Sequence, residues 1–232
     1  MDFPRPLLKA VMLKRYKRFF ADVRLNGELV TAHCPNTGSL RSCWEEGRAA
    51  YVSLSDNPDR KLKYTLELTE APTGALVGVN TSWPNKLIFE AYRNGVIADW
   101  KEFSHFQNEV KISKETRLDG CLMAGDKKRF IEVKNVTLVR GSHAQFPDAE
   151  TTRGQKHLRE LLKLRELGHE AEVVFVIQRE DAETFSAAED FDPEYARLLV
   201  EAHRGGVHVR PLLVRVSPES LHITGRELPW KP

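Results

Sequence analysis

The amino-acid sequence predicts an α/β fold in two parts, a small N-terminal β-barrel followed by a mixed sheet with helices on its faces. Up to about residue 80, short apolar runs alternate with Asn, Asp, Pro and Gly clusters, the texture of strands joined by tight turns. Beyond it, strand-like runs alternate with stretches of helical spacing in the order α-β-β-β-α-β-α-β. Among them Val173-Val174-Phe175-Val176-Ile177 is a continuous apolar run, as a strand covered on both faces requires.

In the first part, strands are expected over residues 19–25, 28–34, 49–54, 63–68 and 76–79. The first two flank Asn26-Gly27, a pair that accepts successive positive φ angles and so marks a type I′ hairpin. Five such strands suit a small barrel, of which the OB-fold is one common form. In the second part, Ser82-Trp83-Pro84 reads as a helix start, with Ser82 as cap and Pro84 in the first turn. Leu87, Ile88 and Ala91 continue that helix, and Asn94-Gly95 stops it. Strands follow over 106–112, 117–123 and 129–136, the last two joined by a polar turn at 124–128. A second helix, 152–167, opens with a Thr152–Gln155 capping box, carries Leu158, Leu161, Leu162 and Leu167 as its apolar stripe, and ends at Gly168. A strand at 172–178, a helix at 193–204 and a strand at 207–216 complete the series. The expected domains are 1–80 and 81–232.

Composition narrows the function classes. With 35 Lys+Arg against 33 Asp+Glu, the chain lacks the bulk charge of a nonspecific polyanion binder, so any nucleic-acid footprint must be local. No apolar run approaches the roughly 20 residues of a membrane helix, and the N-terminus shows no export signal. Three dispersed cysteines, Cys34, Cys43 and Cys121, form neither a disulfide framework nor a zinc motif. A cytoplasmic protein that does not touch membrane is expected, with homo-oligomerisation left open. No Gly-rich dinucleotide fingerprint or P-loop is present, which argues against a nucleotide-cofactor enzyme.

The chemistry concentrates in Arg117-Leu118-Asp119 and Ile131-Glu132-Val133-Lys134. Side chains alternate along a strand, so Glu132 and Lys134 share one face, and a hairpin to the preceding strand brings Asp119 beside them. Two adjacent carboxylates repel unless a positive charge separates them, and a hard divalent cation prefers oxygen ligands. Asp119 and Glu132 therefore form a candidate site for Mg²⁺ or Mn²⁺, with Lys134 orienting water and offsetting transition-state charge during phosphodiester hydrolysis. A Glu-x-Lys pair is also a common exposed charge pair on a strand. Gln155, on the second helix, either steadies Lys134 or a phosphate, or serves only as part of its capping box. Glu90, on the first helix, is a further candidate metal ligand or an ordinary exposed helical glutamate.

At these residues, and in Lys14-Arg15-Tyr16-Lys17-Arg18-Phe19, His33-Cys34-Pro35-Asn36-Thr37-Gly38, Ser55-Asp56-Asn57, Asn135-Val136-Thr137-Leu138, Phe146-Pro147-Asp148-Ala149 and residues 153–161, the chain closely resembles the sugar fermentation stimulation protein A (SfsA) family. The resemblance covers nearly the whole chain. It implies an N-terminal OB-like β-barrel, a C-terminal PD-(D/E)XK nuclease-like α/β domain, DNA binding and a role in regulating sugar (maltose) utilisation. It assigns Asp119, Glu132 and Lys134 to the nuclease triad and Gln155 to the polar helix position. The sequence departs from the family where Gly120-Cys121 follows the aspartate, and a strand glycine there is expected to loosen Asp119.

The expected partner is DNA, double- or single-stranded. Lys14, Arg15, Lys17 and Arg18 surround Tyr16 just ahead of the first expected hairpin and offer phosphate contacts and base stacking. Arg140 and Arg153, with His143, flank the presumed metal site in or beside a long connection, where surface cations are also common. Asn36 and Gly38 are expected to supply unusual backbone angles in a turn, His157, Arg159 and Lys163 to form the solvated side of the second helix, and the four tryptophans to serve packing. Two functions follow: a DNA-binding protein with a metal-dependent phosphodiesterase site, or a non-catalytic DNA-binding regulator retaining the nuclease scaffold.

Overall fold

The computed structural model describes residues 1–232. Its first half contains β1 (Leu8–Tyr16), β2 (Phe20–Leu25), β3 (Glu28–His33), β4 (Ala49–Leu54), β5 (Tyr64–Glu70) and the short β6 (Leu76–Gly78). The strand order β3-β2-β1-β4-β5 is closed by a parallel β3–β5 pairing, which makes an OB-type barrel of five strands with β6 appended to β5. Ala10, Met12, Val23, Val52 and Leu66 fill its interior. The β2–β3 hairpin turns at Asn26 and Gly27, with φ of 51° and 89°, as the Asn-Gly pair predicts.

The strand count survives, but one member differs. Leu8–Tyr16, not 76–79, is the fifth barrel strand, and β6 lies outside the closure. Lys9, Lys14 and Arg15 conceal β1 in the sequence, and a register shift between Met12 and Lys14 breaks its alternation.

The second half comprises α1 (Pro84–Arg93), β7 (His105–Lys111), β8 (Arg117–Ala124), β9 (Lys127–Val136), β10 (Leu138–Arg140), β11 (His143–Phe146) and α2 (Thr152–Glu166). It continues with β12 (Glu170–Ile177), β13 (Thr184–Ala187), α3 (Pro193–Arg204), β14 (His208–Val216) and β15 (Leu221–Glu227). The main sheet runs β15-β14-β12-β9-β8-β7, with β12 parallel to both β9 and β14. Alternation along β12 divides its apolar run between two cores. Val173, Phe175 and Ile177 meet Leu158, Leu161 and Leu198 of α2 and α3, while Val174 and Val176 meet Leu87 and Ile88 of α1. The expected mixed α/β class is borne out.

Local corrections have local causes. Ser82 does not cap α1: the N-cap position is Trp83, and Ser82 donates its backbone N–H to Asn80 Oδ1. In α2 the cap is Thr151, whose hydroxyl accepts from Gly154 N, so the Thr152–Gln155 box does not form. The stretch expected as a long connection folds as the β10–β11 hairpin, and β13 joins β11 in parallel to make a third sheet. Asn36 and Gly38 have no positive φ; the Asn36 side chain instead accepts from Gly38 N and donates to Val79 O.

The barrel and the α/β domain interlock. Arg179, 1% exposed, donates to Ser42 O and Thr137 O and pairs with Asp181. Val77 bridges to Arg179, and Ser39 N donates to Asp148 Oδ2 at 2.6 Å.

A second polar cluster links β9, β12, β14 and β15 of the main sheet. Arg210, on β14, contacts Glu172, Glu227 and Asp99, and Arg129, on β9, contacts Asp99 and Glu170. Burial raises the carboxyl pKa of Asp99 and Glu170, but Arg129, with Arg210 at Asp99 and Lys127 at Glu170, outweighs it and leaves both below their usual range. Depressed folded-state values contribute stability that is complete above the unfolded carboxylate range, about pH 4, and is lost as pH falls through the folded values. Thermal melts are therefore expected to hold from pH 7 to 5 and to drop below about pH 4. Arg129→Gln should flatten that acid limb.

Candidate functional site

β8 and β9 pair from Ala124↔Lys127 down to Gly120↔Ile131, where the ladder ends. The next residue, Asp119, substitutes its carboxylate for the missing ladder bond. Its Oδ2 accepts from the Val133 backbone N–H at 2.8 Å, and its Oδ1 accepts from Asn85 Nδ2 on α1 at 2.8 Å. Gly120 does not leave Asp119 loose, because both carboxylate oxygens are held. A Cβ at Gly120 would lie 2.5 Å from Phe106 Cζ, so the close approach of that ring is what requires glycine here. Gly120→Ala is expected to cost about 1–3 kcal/mol in chemical denaturation through overpacking. Phe106→Leu in the same chain should return part of that loss.

Glu132, only 3% exposed, lies against α2. Its Oε1 accepts from Lys134 Nζ at 2.6 Å and contacts His157 Nδ1. Its Oε2 is buried and has no hydrogen-bond partner. Burial raises the Glu132 carboxyl pKa, but Lys134 and His157 more than offset this and hold it below the usual range. At Asp119, burial and the neighbouring negative charge of Glu132 push the pKa upward. Tyr195, fully buried beneath the same face, has its hydroxyl pushed well above the phenol range by burial, with Glu132 and Asp192 adding to the shift. The site thus couples two carboxylates, one stabilised as an anion and one strained by its neighbour.

The helix residue that meets Glu132 is His157, not Gln155. His157 is 5% exposed, which corrects its expected place on the solvated side of α2. Gln155 donates to both oxygens of Asp192, the N-cap of α3, at 3.0 and 3.2 Å, so it ties α2 to α3 rather than steadying Lys134. Glu90 Oε2 pairs with the N-terminal ammonium of Met1 at 2.7 Å, and both line an open cleft of about 700 Å³ that reaches Asp119.

The expected nucleic-acid residues divide. Lys14, Lys17 and Arg18 are exposed at the β1–β2 turn, with Lys17 and Arg18 at φ of 46° and 63°. Arg15 is occupied internally, since its guanidinium donates to the carbonyls of Arg18, Asn36, Gly38 and Ser39. Tyr16 stacks on Phe20 at 5.4 Å and donates to Asp22, which leaves it a packing role in this conformation. Arg140 pairs with Asp190 at 2.7 Å, Arg153 is exposed, and His143 contacts Thr184 and Ser186.

Asp99, Glu172 and His208 also place ligand atoms within 4.8 Å of one another. Arg210 pairs with both carboxylates there and Arg129 adds a second guanidinium, so fixed cations already neutralise that cluster. Glu132, by contrast, keeps an unpartnered buried carboxylate oxygen and lies near enough to Asp119 for its charge to raise that carboxyl's pKa.

Comparison with known proteins agrees with this architecture. The family model described as the SfsA N-terminal OB domain matches residues 13–79, and the sugar fermentation stimulation protein RE domain matches residues 82–220. A sugar fermentation stimulation protein homolog of Bdellovibrio bacteriovorus is 51% identical, with all of both chains covered. One from Geotalea uraniireducens is 48% identical over 97% of this chain and 98% of that protein. The structure of Pyrococcus furiosus SfsA in complex with Ca²⁺ superposes with a TM-score of 0.88 at 28% identity, covering 100% of this chain and 98% of that one. Both halves of the molecule, the OB-type barrel and the α/β domain, thus match their counterparts, and the chain belongs to the sugar fermentation stimulation protein family.

Proposed function

We propose that this protein binds DNA and holds a divalent cation, Mg²⁺ or Mn²⁺, between Asp119 and Glu132 to hydrolyse phosphodiesters. The observation that carries this reading is the buried Glu132 Oε2, left without a hydrogen-bond partner beside a second carboxylate. A buried anionic oxygen of that kind is costly unless it meets a cation. The relative solved with Ca²⁺ supports divalent capture within this fold. When bound, the cation supplies Lewis acidity and lowers the pKa of bound water. The chain's own residues set the frame. Asn85 and the Val133 N–H fix Asp119, while His157 and Lys134 fix Glu132 from the other side. In this reading Lys134, 12% exposed at its side chain and bonded to Glu132 Oε1, offsets charge on the phosphoryl group.

The non-catalytic regulator has one observation in its favour. Lys134 and His157 both engage Glu132 Oε1, which is the arrangement of a buried structural ion pair. Incubating the protein with plasmid and single-stranded DNA in Mg²⁺ or Mn²⁺ separates the two. Cleavage by the wild type that Lys134→Ala abolishes supports the phosphodiesterase. DNA retention without cleavage, equal in both proteins, supports the regulator.

A further inference from the structure

The cleft that reaches Asp119 contains none of the cations expected from the sequence to meet nucleic acid. Its walls come from α1 and the β7 edge strand, and Asn85, Lys86, Arg93, Asn108 and Asp119 are among the residues that line it. Its charges are unevenly satisfied. Glu90 is paired with the Met1 ammonium and Glu109 with Arg117 at 2.8 Å. Asp119 is held by an amide and a backbone N–H. Lys86 and Arg93 are exposed and form no ion pair. Lys86 is nevertheless oriented, its ammonium lying 4.6 Å from the Trp83 ring centroid. With a dication at Asp119, the uncompensated charge of the cleft is positive.

We propose that this cleft seats the substrate strand, with Lys86 and Arg93 contacting its phosphates; the proposal rests on the phosphodiesterase reading and adds the path by which DNA reaches the cation. Seven residues separate the two cations, which puts them on one face of α1 about 10 Å apart along its axis. At about 3.4 Å rise per nucleotide of a B-form strand, that interval spans roughly three phosphates. Lys86 adjoins Asn85, the residue that bonds Asp119, so the Lys86 end lies at the cleavage position and the Arg93 end contacts the strand beyond it. Asn108 offers an uncharged amide on the opposite wall. The ligand class that suits two cations at this spacing, plus a cation-binding carboxylate between walls of polar amides, is a nucleic-acid backbone rather than a single small anion.

The test is the salt dependence of DNA binding by the full chain, measured by fluorescence anisotropy in Ca²⁺ with labelled duplex and single-stranded oligonucleotides. Lys86→Gln and Arg93→Gln are each expected to reduce the slope of log affinity against log salt by about 1, and the double variant by about 2. Between 50 and 200 mM salt the double variant should therefore lose about tenfold less affinity than the wild type. Thermal melts should shift by no more than about 2–4 °C, because both side chains are exposed and the Lys86–Trp83 ring contact is the interaction lost. Slopes equal to wild type in both single variants, with the change confined to a Lys14, Lys17 and Arg18 triple substitution, overturn the proposal and leave the phosphodiesterase reading intact. Variants that show the predicted slope changes, with a wild type that cuts nothing in Mn²⁺, uphold DNA binding in the cleft and remove the enzyme. A wild type that neither binds nor cuts overturns both.

Discussion

Glu132→Gln is expected to lower Mn²⁺-dependent DNA cleavage by at least about 100-fold, above the loss typical for residues that only support a metal ligand. The substitution preserves volume and leaves an acceptor for Lys134 and His157. It removes the anionic charge from the orphaned Oε2 position, where either an amide nitrogen or a neutral carbonyl is a poorer ligand. Calorimetric titration with Mn²⁺ should show the same loss. Asp119→Asn should move in the same direction, because that carboxylate bonds both β9 and α1 and lies in the open cleft. Lys134→Met is the informative contrast, expected to retain metal uptake while losing cleavage. Undiminished Mn²⁺ binding by both Glu132→Gln and Asp119→Asn would remove the metal site from the proposal.

The largest effect on stability is expected from Arg210→Met. Arg210 is 3% exposed and contacts Glu172, which is fully buried, together with Glu227 and Asp99. Removing one partner of a buried ion pair costs about 3–5 kcal/mol because the other charge is left uncompensated. For a chain of this size that corresponds to a fall in Tm of roughly 6–20 °C. Arg129, 3.5 Å from Glu172, softens the loss without replacing the bonds to the Arg210 guanidinium. Adding Glu172→Leu to the same protein should recover part of the stability, since an apolar residue in a dry site has no charge to compensate. A melting temperature within about 1 °C of wild type would show that the network is bookkeeping on the surface rather than part of the core.

The elements that were legible are those in which local chemistry and tertiary role agree. Asn26-Gly27 makes its turn, the apolar run at 173–177 lies between two helical layers, and α3 occupies residues 193–204 as expected. β1 was hidden because its cations occupy positions that a barrel tolerates on its outer surface. The β10–β11 hairpin and β13 escaped because strands of three and four residues leave almost no period to detect. At the site, Asp119, Glu132 and Lys134 are visible as residue types, but the α2 residue that meets Glu132 is His157, whereas Gln155 bonds Asp192. His157 precedes Leu161 by four residues and Leu164 by seven, which places it on the buried stripe. Gln155 lies at the margin of that stripe, where α3 rather than the sheet is its neighbour. The helical period counted backward from Leu164 falls on the histidine.

The interlock at Arg179 has a consequence for the proposed binding of DNA. Its guanidinium spans carbonyls from both halves, and the Ser39–Asp148 bond clasps them again at a separate place. Two modules joined in this way behave less like beads on a string than like the jaws of a caliper locked at one opening. A filament gripped by the barrel would meet the carboxylate pair at a constant offset, measured in nucleotides by the protein's own dimensions.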